Sequence, residues 1–225
     1  MSGTVDTELV HLDTSDGVRL VAELARPPRG RPPAATLVCF HPNPSAGGSM
    51  DGHLLRRAAR ELPSRADLAV LRVNTRGTSS RIGTSGGTFD DGGAERLDVA
   101  AALDYVECAG LPRIWLLGWS FGADLVLRHG DAPGVEGAVL VSPALRTASE
   151  ADLHRWAASG RPLVAVVPEL DEHLPPRQAR ERLRSVPQCE VVVVAGGTHL
   201  LVGHGAEVLD VVVRTITGQL PPACG

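Results

Sequence analysis

Six short runs of almost wholly apolar residues constrain this chain most: Thr36 to Phe40, Leu68 to Val73, Ile114 to Trp119, Gly137 to Val141, Leu163 to Val167 and Val191 to Ala195. Strands without polar alternation must be covered on both faces, which is the condition of a parallel sheet between two helical layers. Helical patterns fill the intervals at Met50 to Leu62, Gly93 to Glu107, Phe121 to His129, Ser149 to Ala158, Pro176 to Val186 and Gly205 to Thr217. This alternation predicts an α/β fold, a mostly parallel, doubly wound sheet built from right-handed crossovers, with ligands beyond the carboxyl ends of the strands. Ahead of it, alternating Leu9 to Leu12 and Val18 to Leu24 flank Ser15-Asp16-Gly17, the pattern of an antiparallel β-hairpin.

A chain of 225 residues can bury one sizeable core, and no repeat or linker interrupts it, so residues 1–225 are expected to form a single domain. Its 26 acidic and 22 basic residues give a net charge of −4, which provides no basic field for nucleic acid or an anionic membrane. No apolar run approaches the roughly 20 residues of a membrane span, and Met1 to Asp6 lacks the basic and apolar regions of a secretory signal, so a cytoplasmic location is expected. The four cysteines, Cys39, Cys108, Cys189 and Cys224, are widely separated and read as thiols rather than as a disulfide framework or metal site. Nothing in the sequence specifies an oligomeric state.

The strand at Ile114 runs directly into Gly118-Trp119-Ser120-Phe121-Gly122, and a helical pattern follows at once. A serine at such a strand-to-helix turn is held on a strained backbone with its hydroxyl raised above the sheet, and the flanking glycines let the chain close up. Ser120 is therefore the candidate nucleophile. Gly83-Thr84-Ser85-Gly86-Gly87 spells the same pattern but has neither the preceding strand nor the following helix, so Ser85 is assigned to a flexible loop. That loop, Thr75 to Gly92, is rich in Gly, Ser and Thr and is the longest connection expected.

A serine hydroxyl needs a base within hydrogen-bond reach and a third group to fix that base. His199 follows the last apolar run through Gly196-Gly197-Thr198, on the edge expected for Ser120, and is the candidate base; His204 is the alternative. The acid belongs after the preceding strand, where Glu169, Asp171 and Glu172 cluster; Asp171 is favoured and Glu169 is its rival. Oxyanion donors are expected from the backbone amides of Phe121 and of Asn43, the latter lying between two prolines that lack an N–H. His41 and Trp119 are expected to line the substrate space. No metal and no cofactor is called for.

Four blocks carry a family resemblance: His41-Pro42-Asn43-Pro44 with Gly47-Gly48-Ser49-Met50; Arg72 to Gly77; Gly118 to Gly122; and Gly197-Thr198-His199-Leu200. With them the chain resembles the small bacterial α/β-hydrolases related to dienelactone hydrolases and short-chain acyl esterases. The resemblance implies a nearly lidless hydrolase with Ser120, Asp171 and His199 as its triad and Asn43 in its oxyanion hole. Similar proteins often carry a second histidine where Asn43 stands, a departure at the rim of the site. The expected reaction is cleavage of an ester, thioester or lactone in a small-molecule acyl substrate. An acyltransferase or cyclase using the same residues, and a non-catalytic binding protein on the same fold, are the alternatives.

Overall fold

A computed structural model describes residues 5–218. The chain opens with β1 (Asp6–Asp13) and β2 (Arg19–Arg26), paired antiparallel around a turn in which Gly17 takes a φ of 82°. There follow β3 (Ala35–Phe40), α1 (His53–Ala66), β4 (Leu68–Val73), the two-residue strands β5 (Ser79–Ser80) and β6 (Gly83–Thr84), and α2 (Glu95–Cys108). The second half holds β7 (Ile114–Trp119), α3 (Phe121–His129), β8 (Val135–Val141), α4 (Glu150–Ser159), β9 (Leu163–Pro168), α5 (Pro176–Arg182), β10 (Cys189–Val194) and α6 (Gly205–Thr217). The eight long strands form one sheet in the order β1-β2-β4-β3-β7-β8-β9-β10. From β4 to β10 all neighbours are parallel, and β2 joins antiparallel to β4.

Sequence order turns at one place in this sheet. The chain passes from β3 outward to β4, then returns across β3 to β7 and continues in the other direction. Crossovers therefore diverge at the carboxyl ends of β3 and β7, leaving the crevice in which open α/β sheets hold their ligands. The loop carrying Asn43 and the turn carrying Ser120 both stand there.

Helices α1 and α6 bury Leu54, Leu62, Val208 and Val212 against one face of the sheet, while α2 to α5 bury Val99, Leu125, Leu153 and Ala179 against the other. The doubly covered strands are the uniformly apolar ones, as the sequence pattern requires. The exception is β10: as an edge strand it has β9 as its one neighbour, and most of its residues remain partly exposed. Two helices also differ from their periodicity. Helix α1 begins at His53 rather than Met50 and runs through Pro63, which sits near the helix end where one lost backbone bond is tolerated. Helix α5 stops at Arg182 instead of Val186, and residues 183–186 continue as tighter turns in which the Arg184 amide donates to the Glu181 carbonyl and the Val186 amide to that of Leu183.

The segment from Thr75 to Gly92 is long, as expected, but it is fastened rather than loose. The buried Arg76 guanidinium donates to Asp98 at 2.9 Å and to Asp16 at 2.9 Å, joining the loop to α2 and to the hairpin turn. Ser85 is buried as well: its Oγ donates to the Asn74 carbonyl at 2.8 Å and accepts the Val21 amide at 2.9 Å. A hydroxyl so occupied is a fastening of the loop onto β2, which corrects its assignment to a flexible loop. Cys39 is buried in β3 and Cys189 partly covered in β10, while Cys108 is exposed at the end of α2; all three are free thiols, and Cys224 lies outside the described residues.

His41 also departs from expectation. The sequence assigns it to the substrate space, but its ring is fully buried beneath the loop that follows β3. Nδ1 donates to the Pro42 carbonyl at 2.6 Å and Nε2 accepts the Thr75 amide at 3.1 Å, a pairing that only the neutral ring satisfies. Burial pushes its pKa down from the ordinary 6.5 to about 4, against the weaker opposing effect of the Pro42 bond. Between these two values the unfolded chain binds a proton that the folded chain refuses, so stability falls as pH drops through the interval. Denaturant unfolding at pH 7.5 and pH 4.5 is expected to reveal a loss of about 3 kcal/mol from this residue alone, and His41→Gln should flatten the difference. An unchanged pH dependence in the variant would remove His41 as its source.

Candidate active site

Ser120 occupies the turn between β7 and α3 with φ 54° and ψ −112°, a conformation that non-glycine residues rarely adopt. Close packing imposes it. A Cβ on Gly118 would lie 2.2 Å from the Gly122 carbonyl oxygen, and one on Gly122 would lie 2.3 Å from the Phe40 carbonyl oxygen. Both distances are impossible for a side chain, so the two glycines are what allow α3 to start against the end of β3. The Ser120 amide donates to the Val141 carbonyl at 2.8 Å, fixing the turn from the β8 side as well.

From this turn the Ser120 Oγ lies 2.8 Å from His199 Nε2. His199 stands in the loop after β10, and its Nδ1 lies 2.9 Å from Asp171 Oδ2 and 3.1 Å from Oδ1. With Nδ1–H given to the carboxylate, Nε2 is left as acceptor for the serine proton. Asp171, in the loop after β9, is buried, and its Oδ1 also accepts the amides of His173 at 2.8 Å and Leu174 at 3.2 Å. Burial works to raise the Asp171 pKa, but the bonds from His199 and the two amides outweigh it and hold the carboxyl below its usual range. Loops after β7, β9 and β10 thus bring together a hydroxyl, a carboxylate and an imidazole that are distant in sequence.

The rival residues stand elsewhere. Glu169 accepts the Gly196 amide at 2.8 Å and braces the histidine loop without reaching the ring. His204 is at the start of α6, 3.5 Å from Glu207. The loop after β3 is a short 3-10 turn, Pro44–Ala46, and the Asn43 side chain caps it by accepting the Ser45 amide at 2.8 Å. The Asn43 amide itself has no acceptor among the described residues. The Phe121 amide opens α3, where a helix supplies no acceptor for its own first N–H groups. Asn43 and Phe121 both line a cavity of about 500 Å³, together with Ser120, His199 and Trp119, whereas His41 does not reach it.

Sequence reasoning missed two residues on this cavity. The exposed His173 ring meets His199 edge to face, with centroids 4.3 Å apart. Its place two residues after the favoured acid was the available signal. Asp124 is buried in the first turns of α3 and ties down the loop after β8 by accepting the Thr147 and Ala148 amides at 2.9 and 2.8 Å. An acidic residue within a helix this apolar marks such a fastening. No cap stands over the cavity between β8 and α4; residues 142–149 form a short connection held by that carboxylate.

No protein-family model matches the chain. An uncharacterized protein of Rickettsia prowazekii, RP471, is 32% identical over 127 residues, covering 54% of this chain and 50% of its own length. The chain therefore spans about half the length of that curated relative. Among solved structures, an alpha-beta serine hydrolase homologue from Coxiella burnetii is 27% identical with a TM-score of 0.80, over 93% of this chain and 97% of that one. XC6422 from Xanthomonas campestris, described as an α/β serine hydrolase without lid, is 24% identical with a TM-score of 0.77, over 98% and 97% of the two chains. With the strand order, the glycine-flanked serine turn and these likenesses together, the chain is a member of the α/β-hydrolase superfamily.

Proposed function

We propose that this protein hydrolyses a short-chain acyl ester, thioester or lactone through a covalent acyl-Ser120 intermediate. The single observation that carries the reading is the 2.8 Å contact from the strained Ser120 hydroxyl to His199 Nε2, backed by Asp171 on the other ring nitrogen. In the first half-reaction Oγ attacks the acyl carbon while Nε2 takes its proton, and the oxyanion is received by the amides of Phe121 and Asn43. Collapse breaks the bond to the leaving oxygen or sulfur, which departs with the proton held by His199. In the second half, water gives a proton to Nε2 and attacks the acyl carbon, and the acid is released as Ser120 recovers its proton. Asp171 orients the imidazole through its contact with Nδ1. Transfer to another acceptor would require water to be excluded, and the uncapped cavity favours hydrolysis instead.

Assayed on a short nitrophenyl ester, Ser120→Ala should lose turnover while unfolding like the parent, and Asp171→Asn should lower kcat by about 10⁴-fold through the wrong histidine tautomer. Glu169→Gln and Ser85→Ala should keep near-parental kcat, the latter with reduced stability because the Val21 amide loses its acceptor. Retained turnover in Ser120→Ala would overturn the reading, and equal losses at Asp171 and Glu169 would remove the acid assignment.

Chain-length preference gives a second check. An open cavity displaces little water around a long acyl chain, and a methylene contributes about 0.8 kcal/mol only where it is buried. Across a nitrophenyl ester series kcat/KM is expected to peak at roughly two to six acyl carbons and decline beyond. A value still rising at ten or more carbons would reveal an apolar channel and contradict the open-site account.

A further inference from the structure

Beside the cavity above Ser120 the described surface carries a second hollow, a groove of about 650 Å³. Its walls carry Arg56, Arg57, Arg60, Arg72, Arg81 and His53, with Glu23 as the one acidic residue among those lining it. Local pairing accounts for part of this charge. Arg72 is spent on Glu23 and the Met50 carbonyl, and Arg81 pairs with Asp51 at 3.4 Å. On α1, however, two guanidinium groups share one carboxylate, Arg57 and Arg60 both reaching Glu61 Oε1 at 3.0 Å, and a third, Arg56, has no ion-pair partner among the described residues. A cationic surplus therefore faces the groove, although the whole chain carries a net charge of −4.

The groove and the cavity share a wall. Gly52 lines the cavity and His53 lines the groove. The His53 ring packs edge-on against Trp119, with centroids 5.1 Å apart, and its Nε2 donates to the carbonyl of Leu200, which also lines the cavity. The two hollows therefore adjoin along the Gly52–His53 backbone, which puts the arginines on the far side of that wall from Ser120. Guanidinium groups clustered on one helical face suit a ligand that offers several anionic oxygens at once, as a phosphate does.

We propose that the groove is a subsite for a phosphate at the distal end of the leaving group, so that the substrate is an acyl ester or thioester of a phosphorylated alcohol or thiol. This rests on the hydrolase reading above and specifies its substrate class. The chemistry at Ser120 is unchanged; the phosphate only lowers the concentration at which the acyl group is presented.

The test compares S-acetylpantetheine with its 4′-phosphate as substrates of the full chain. The parent should show a KM about tenfold lower for the phosphorylated thioester, and the charge-reversing double variant Arg56→Glu with Arg60→Glu should erase that advantage while leaving kcat/KM for the neutral thioester unchanged. Both residues are exposed, so the variant is expected to fold. Equal KM values for the two thioesters in the parent, or a loss in the variant that is the same for both, would overturn the proposal. Pyrophosphate binding followed by calorimetry separates this outcome from failure of the hydrolase reading. If neither thioester is turned over but pyrophosphate binds the parent and not the double variant, the subsite stands and hydrolysis falls; if pyrophosphate binds neither, the subsite falls as well.

Discussion

The contact of α3 against the end of β3 governs the rest of this structure. Gly118 and Gly122 leave no room for a Cβ, and the backbone passes within van der Waals distance of carbonyl oxygens on both sides. That approach has three consequences. Ser120 is forced to a φ of 54°, which raises its hydroxyl above the sheet. The first amide of α3 is set beside the loop after β3, where Asn43 offers another. The helix axis also starts at the switch point of the sheet, so the partial positive charge of its N-terminus faces the space where an oxyanion would form. The strain at one residue, on the order of 1–3 kcal/mol, is sustained because the doubly covered sheet around it over-determines the turn.

Against this fixed serine, the other two members of the constellation arrive on loops with different means of restraint. Asp171 is held by four hydrogen bonds, and these overcome the effect of burial and keep it ionised. His199 is held by Asp171 from one side and by the edge of His173 from another, while Glu169 pins the start of its loop through the Gly196 amide. The carboxylates near the site thus divide the labour: Asp171 touches the imidazole, and Glu169 and Asp124 secure loops. Position relative to the sheet, rather than residue type, decides which does which.

Much of this was legible in the sequence because the physics is local. Uniform apolar runs mark doubly covered strands, and Gly118-Trp119-Ser120-Phe121-Gly122 between a strand and a helix can satisfy its backbone in few ways. The fold, the parallel order and the antiparallel hairpin follow from such patterns. What escaped was non-local. Ser85 is buried because Val21, 64 positions away, lends it an amide, and His41 turns inward because Thr75 offers another. Neither partner is indicated by the residues around the serine or the histidine. The edge position of β10 depends likewise on the order of strands in space, to which an apolar run such as Val191 to Val194 is indifferent.

The central claim is that Ser120, alone among the serines, is activated. The most direct measurement is labelling of the folded protein with a fluorophosphonate, followed by intact mass and peptide mapping. The account predicts one adduct per chain, located on Ser120, absent in Ser120→Ala and strongly slowed in Asp171→Asn. A folded parent that remains unlabelled, or an adduct that maps to Ser85 or any other serine, would contradict it.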